Sequence, residues 1–170
     1  MAAIRALVLT LVVTLAVVLQ GALFPYLAYD GVVPNLALLV VVAAALVRGP
    51  EFAAVIGFLA GLAIDVAPPS DHVIGRWALA LVVVGYLAGR IRHDARTSAL
   101  AAVVTVAASS FVGTSVFALS GMVLRDPMVP VADALSVVPV AVIYDVALTP
   151  FVLPLMLRLF RRLEPHQVAY

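Results

Sequence analysis

The 170-residue sequence is 65% hydrophobic and only 11% charged. Soluble globular domains are roughly half apolar and about a quarter charged, so this composition excludes a soluble domain and predicts a protein of the lipid bilayer. The formal net charge of +1 gives no reason to expect nucleic-acid binding, and the lack of cysteine excludes disulfides and thiolate metal sites.

Apolar segments recur along the whole chain and predict an all-α bundle of about six transmembrane helices in one membrane domain, residues 1–170. About 20 apolar residues cross a bilayer core of roughly 30 Å. The predicted spans are Ala6–Leu27, Pro34–Val47, Phe52–Ala67, Trp77–Gly89, Ala99–Leu124 and Leu135–Phe160. Spans two to four are short, so they are either complete helices lengthened by flanking residues or re-entrant segments.

The first span has a longer apolar run than the core of a signal peptide, which favours a retained helix. Small residues repeat every four positions along it, at Ala2, Ala6, Thr10 and Thr14. Such spacing places small side chains on one helix face. Gln20 lies near the outer end of this span.

Spans three and four carry the related phrases GFLAG and GYLAG, in which two glycines stand four residues apart. Such pairs let another helix backbone approach closely, either within the protein or from a partner. We expect Gly57 and Gly61 to pack internally, because Asp65 lies one turn further on the same side and needs protein around it. Gly85 and Gly89 end at arginines, so their face is the stronger candidate for a partner helix.

Asp65 and Asp145 are the acidic residues within the spans, where an ionised side chain is costly and commonly faces protein. Asp65 lies near the outer end of span three, at a depth similar to Gln20 and Asn35. We expect it to be satisfied within the fold, with Arg76 as its partner. Recognition of a substrate or partner by this carboxylate is the alternative.

Asp145 lies near the middle of span six and has no basic residue at its depth. It is level with Ser109, Ser110 and Thr114 of span five, so we expect hydrogen bonds that join these two spans. A proton or ion relay is the alternative, although the sequence offers no second titrating group at that depth.

The arginines predict the orientation. Eight of the ten fall on one side of the predicted bundle, and by the positive-inside rule that side is cytoplasmic. We therefore expect both chain ends in the cytoplasm and the Asp71 and Asp126 loops outside. Single cysteines at Ser70 and Thr97 would then react from outside and inside. The main topology anchors are Arg48, Arg90, Arg92, Arg158 and Arg161.

Catalytic signatures are missing from the sequence. It has no HExxH, no GxSxG, no phosphate-binding glycine loop and no paired carboxylates. His72, His93 and His166 have no spacing typical of metal ligands. We expect no catalytic, cofactor-binding or metal-binding residue and no enzymatic activity.

The order of motifs resembles the rod shape-determining protein MreD family. Span two opens with PNL at residues 34–36, span three has GF and GL followed by Asp65, and span four has GYL followed by Gly89. The last span contains Tyr144, Pro150 and Pro154 before Arg158. The resemblance covers most of the chain, but the loop after Asp65 is richer in proline than is common in the family.

This resemblance implies a non-enzymatic subunit, without cofactor, of the machinery that elongates the wall of bacterial cells, located in the inner membrane. The implied partners are the single-span protein MreC and, through it, the MreB filament, a RodA-type glycosyltransferase and a class B penicillin-binding protein. The implied fold is similar to the substrate-binding subunits of energy-coupling-factor vitamin transporters, which have an outward cavity. Such a transporter subunit is the alternative function.

Overall fold

The computed structural model describes residues 2–29, 31–68, 72–92, 98–125 and 131–163, with only the backbone described for Ala2 and residues 131–135. Within these residues the chain forms six α-helices and one short 3-10 helix, so the all-α prediction is confirmed. The helices are α1 (Ala2–Ala22), the 3-10 helix (Phe24–Leu27), α2 (Leu36–Arg48), α3 (Pro50–Val66), α4 (Arg76–Arg90), α5 (Ala99–Val123) and α6 (Val131–Arg162). Each predicted apolar segment overlaps one of the six α-helices, with ends that differ by up to about five residues.

Local signals explain the tight connection between α2 and α3. Asn35 caps the start of α2, because its side-chain oxygen accepts a hydrogen bond from the Leu38 backbone N–H at 2.9 Å. At the other end, Gly49 has a φ of +93°, a conformation that residues with a Cβ rarely adopt. Pro50 then lies in the first turn of α3, where backbone N–H groups have no partner within the helix, so the missing N–H of proline costs no hydrogen bond.

Helix α2 lies at the centre of the bundle. All its side chains from Leu36 to Val47 are buried, and it contacts each of the other five α-helices. Its 13 residues measure about 20 Å at 1.5 Å per residue, which is less than the roughly 30 Å of a bilayer core. Because protein rather than lipid surrounds α2, the helix can be apolar on all sides and still be short.

Both glycine pairs lie in one interface between α3 and α4. A Cβ at Gly57 would overlap the Leu81 carbonyl group, and a Cβ at Gly85 would lie 2.5 Å from the Ala53 carbonyl oxygen. Gly61 and Gly89 meet backbone atoms of the facing helix in the same way. The packing role expected for Gly57 and Gly61 is therefore seen. The prediction that the Gly85 face is free for a partner helix is wrong, because α3 occupies that face.

Three helices are long and apolar enough to cross a membrane, among the residues that the structure describes. They are the segments Ala3–Ala22, Ala99–Val123 and Ser136–Arg162, and α2 is a shorter apolar helix. Only 11% to 33% of the most apolar part of these segments is buried inside the protein. Apolar side chains that face outward along whole helices are typical of an α-helical membrane protein.

The predicted arginine anchors gather at one end of the bundle. The Arg48 guanidinium lies 4.1 Å from the centre of the Phe52 ring, and the Phe52 and Phe160 rings contact each other edge to face. These contacts bring the end of α2, the start of α3 and the end of α6 together. The remaining anchors, Arg90, Arg92, Arg158 and Arg161, belong to this end as well. The loops around Asp71 and Asp126, together with Ser70, His93, Arg96, Thr97 and His166, lie outside the described residues.

Candidate functional site

A cavity of about 610 Å³ lies at the end of the bundle opposite the arginine anchors. At this end α1, α3 and α5 finish, and α2, α4 and α6 begin. The volume is within the range of small-molecule sites, roughly 300–1,000 Å³. The cavity has apolar or aromatic walls and a few polar groups. The walls include Val17, Ile64, Trp77, Phe117, Val137 and Ala141, and the polar residues include Gln20, Asn35, Thr114 and Asp145.

Asp145 joins three helices at the floor of this cavity. One carboxyl oxygen accepts a hydrogen bond from the Asn35 backbone N–H at 2.7 Å, and the other accepts one from the Ser110 hydroxyl at 2.7 Å. The side chain is 1% exposed. The hydrogen bond to span five that the sequence predicts is therefore present, and Ser110 is its donor. A third element, the start of α2, shares the same carboxyl group.

The start of α2 explains why polar residues are buried here. The first N–H groups of a helix have no partner within it, and α2 begins inside the protein, away from water. The Gln20 side-chain oxygen accepts from the Ala37 N–H at 3.3 Å, while the Asn35 side chain accepts from Leu38. Gln20, Asn35 and Asp145 thus meet at one helix terminus. All three residues also line the cavity.

Asp65 has a comparable role at the start of α4. Because Gly75 at the cap position has no side chain, Asp65 supplies the acceptor from α3. Its two oxygens accept from the backbone N–H groups of Gly75, Trp77 and Ala78 at 2.8 to 3.1 Å. The carboxylate is fully buried, and the positive end of the α4 dipole favours its negative charge. This arrangement ties the end of α3 to the start of α4.

The side chain that contacts the Asp65 carboxylate is His72, and the expected pairing with Arg76 is wrong. The His72 Nε2 atom lies 2.9 Å from a carboxylate oxygen of Asp65. The Arg76 guanidinium turns instead to α5, where it donates to the Phe117 carbonyl at 2.8 Å and lies 3.9 Å from the centre of the Phe117 ring. The N–H groups at the start of α4 compete with Arg76 for the carboxylate, and no charged residue in the sequence marks them.

Phe117 is the residue that the sequence did not reveal. Its ring stacks on Trp77 with centroids 4.4 Å apart and meets the edge of His72 at 5.2 Å. Gly121, one turn later, leaves room for the Arg76 guanidinium, which a Cβ there would overlap. A phenylalanine in an apolar helix carries no signal that could have singled it out. It holds the aromatic wall of the cavity in place.

Within the part of the chain that the structure describes, no group of three or more His, Asp or Glu side chains could hold a metal ion. The arrangement is a partly open space with largely apolar walls and a few hydrogen-bonding groups, which can accommodate a small molecule.

A family model matches the chain. The family model described as rod shape-determining protein MreD matches residues 1–163, a range that includes every helix of the bundle. No curated protein and no solved structure shows significant similarity to the chain.

Proposed function

The chain belongs to the rod shape-determining protein MreD family, and on that basis we propose that it is a non-enzymatic membrane subunit of the machinery for bacterial wall elongation. The family match over residues 1–163 is the observation that carries this proposal. We propose as its partner a single-span protein of the MreC kind. Through that partner it would act with a RodA-type glycosyltransferase and a class B penicillin-binding protein.

We propose further that all six α-helices cross the inner membrane, with both chain ends in the cytoplasm. The cluster of arginines at one end of the bundle supports this orientation, since positive side chains favour the cytoplasmic side. The central position of α2 supports the span count, because a helix surrounded by protein does not need the length of a lipid-facing one. The cavity then opens towards the outside of the cell.

The partner helix needs a face that the bundle leaves free, and we propose a face of α1. Ala6, Thr10 and Thr14 are exposed and stand four residues apart on this helix. Without a hydrophobic driving force in lipid, helices associate through close backbone contact, which small side chains permit. The glycine pairs of α3 and α4 cannot serve this purpose because they are used within the protein.

The test is purification of the tagged chain in a mild detergent, followed by identification of the proteins that accompany it. We expect a single-span protein together with wall-synthesis enzymes. Thr10→Leu should abolish this association and leave the chain abundant and folded. The matched control is Ala108→Leu, which adds the same side chain at an exposed position of α5 and should change nothing.

Two results would contradict the proposal. Recovery of an ATPase module in place of wall-synthesis proteins would favour the transporter alternative. Equal association of partner proteins with the Thr10→Leu chain would remove α1 as the partner face.

A further inference from the structure

We propose that the cavity at the outer end of the bundle binds one neutral molecule with an apolar, preferably aromatic, body and a carbonyl oxygen. The Asn35 side-chain amide would donate the hydrogen bond that holds this oxygen. This inference goes beyond a role in cell shape, because it assigns the protein a ligand of its own.

The Asn35 amide nitrogen is a buried donor without a partner among the described residues. Asn35 is 5% exposed and lines the cavity, yet its Nδ2 atom has no hydrogen-bond partner among the described residues. Its oxygen is already used by the Leu38 N–H. A buried donor without a partner is unfavourable and uncommon in folded proteins. The nitrogen has almost no accessible surface, so the side chain must shift for a ligand in the cavity to bring an acceptor to Nδ2 and remove this deficit.

The other polar groups at the floor define what the ligand must be. Both oxygens of Asp145 already accept hydrogen bonds, and the Gln20 oxygen accepts one from Ala37. The group without a partner is therefore a donor, the Asn35 amide, and the ligand must supply an acceptor. The Asp145 carboxyl group is bonded to the backbone of Asn35 itself, so an anionic ligand at this amide is disfavoured. A neutral carbonyl oxygen meets both conditions.

The walls define the body of the ligand. Trp77 and Phe117 are stacked on each other and present aromatic surface to the cavity, and Val17, Ile64 and Val137 complete its apolar lining. Aromatic rings favour stacked or edge-to-face neighbours, so an aromatic ligand gains contact there beyond simple burial. A volume of about 610 Å³ admits a molecule of two rings.

Benzophenone is a suitable probe because it has two rings and one carbonyl oxygen, and diphenylmethane is its analogue without that oxygen. Trp77 is the single tryptophan of the chain and lines the cavity, so its fluorescence reports occupancy. We expect saturable quenching by benzophenone in the purified full-length protein. Diphenylmethane should compete about tenfold more weakly, the effect of one hydrogen bond.

Variants separate this hydrogen bond from general apolar binding. Asn35→Ser keeps an oxygen that can cap α2 but removes the amide donor. This variant should bind benzophenone about tenfold more weakly than the wild type does. Its affinity for diphenylmethane should be unchanged. Ala108→Leu, on the outer surface of α5, should leave both unchanged. Light-induced cross-linking of benzophenone to the wild-type protein should label the segments around Phe117 and Ala141, and this result needs no variant.

The natural source of the carbonyl can be a membrane lipid ester or a free molecule, and mass analysis of the purified protein distinguishes them. A retained neutral lipid ester that benzophenone displaces indicates the lipid, and a retained smaller carbonyl compound that benzophenone displaces indicates a free molecule. Equal affinity for benzophenone and diphenylmethane would overturn the proposal, as would labelling spread over the lipid-facing helices. Neither result would affect the proposed partnership in wall elongation, which depends on α1.

Discussion

Replacement of Gly85 by alanine tests the packing of α3 against α4. The new Cβ would lie 2.5 Å from the Ala53 carbonyl oxygen, where ordinary contact begins at 3.4 Å, so the helices must separate by about 0.9 Å. Overpacking of this kind costs about 1–3 kcal/mol, and the better helix propensity of alanine returns up to about 1 kcal/mol. The difference is a net loss of up to about 2 kcal/mol, and from its middle value of about 1 kcal/mol we expect a thermal midpoint lowered by about 2–4 °C.

The assay is thermal unfolding of the detergent-purified protein, followed by the loss of its monodisperse peak in size-exclusion chromatography. Gly21→Ala is the matched control, because a Cβ there meets only the Pro68 carbonyl oxygen at 3.9 Å and should not lower the midpoint. Gly85→Leu should be less stable than Gly85→Ala. A Gly85→Leu protein with wild-type stability that has lost its partner would refute the reasoning, since the face would then be external.

Three further outcomes follow from the polar contacts and the arginines. Asp65→Ala removes the acceptor of three backbone N–H groups at the start of α4 and should lose about 2–3 kcal/mol in thermal unfolding, with Asp65→Asn losing less. Unchanged stability of the alanine variant would contradict the capping role. Asp145→Asn should keep near-normal abundance and cell shape, whereas Asp145→Leu should lower the free energy of unfolding by about 1 kcal/mol. A folded but inactive Asp145→Asn protein would show that ionisation of this residue matters. Single cysteines at Tyr29 and Ser98, in this cysteine-free chain, should react with an impermeant maleimide from outside and inside respectively, and the reverse pattern would overturn the orientation.

Apolar runs predict the six helices because a lipid-facing or buried helix needs an unbroken apolar sequence. Between these runs lie Gly, Pro and charged residues, which mark the connections. Counting residues along two antiparallel spans also places Asp145 beside Ser110, and the structure contains that hydrogen bond. Such features depend on one helix or on one pair of neighbouring helices. They can be derived from local sequence.

Features that depend on the choice of neighbour could not be derived. GFLAG and GYLAG both indicate close approach of a backbone, but neither says that the other phrase supplies it. The partner of Asp65 was misjudged because an opposite charge is visible in a sequence, whereas the unpaired N–H groups of α4 are not. The cavity needs the ends of six helices in place, so neither Phe117 nor the unpaired amide of Asn35 had a signal of its own.

The claim that the chain maintains rod shape is tested most directly by its depletion in the organism that encodes it, with cell width measured by microscopy. The account predicts that depleted cells widen and become round. Expression of the wild-type chain or of Ala108→Leu should restore rods, whereas Thr10→Leu, produced at the same level, should not. Rods of unchanged width after complete depletion would contradict the account.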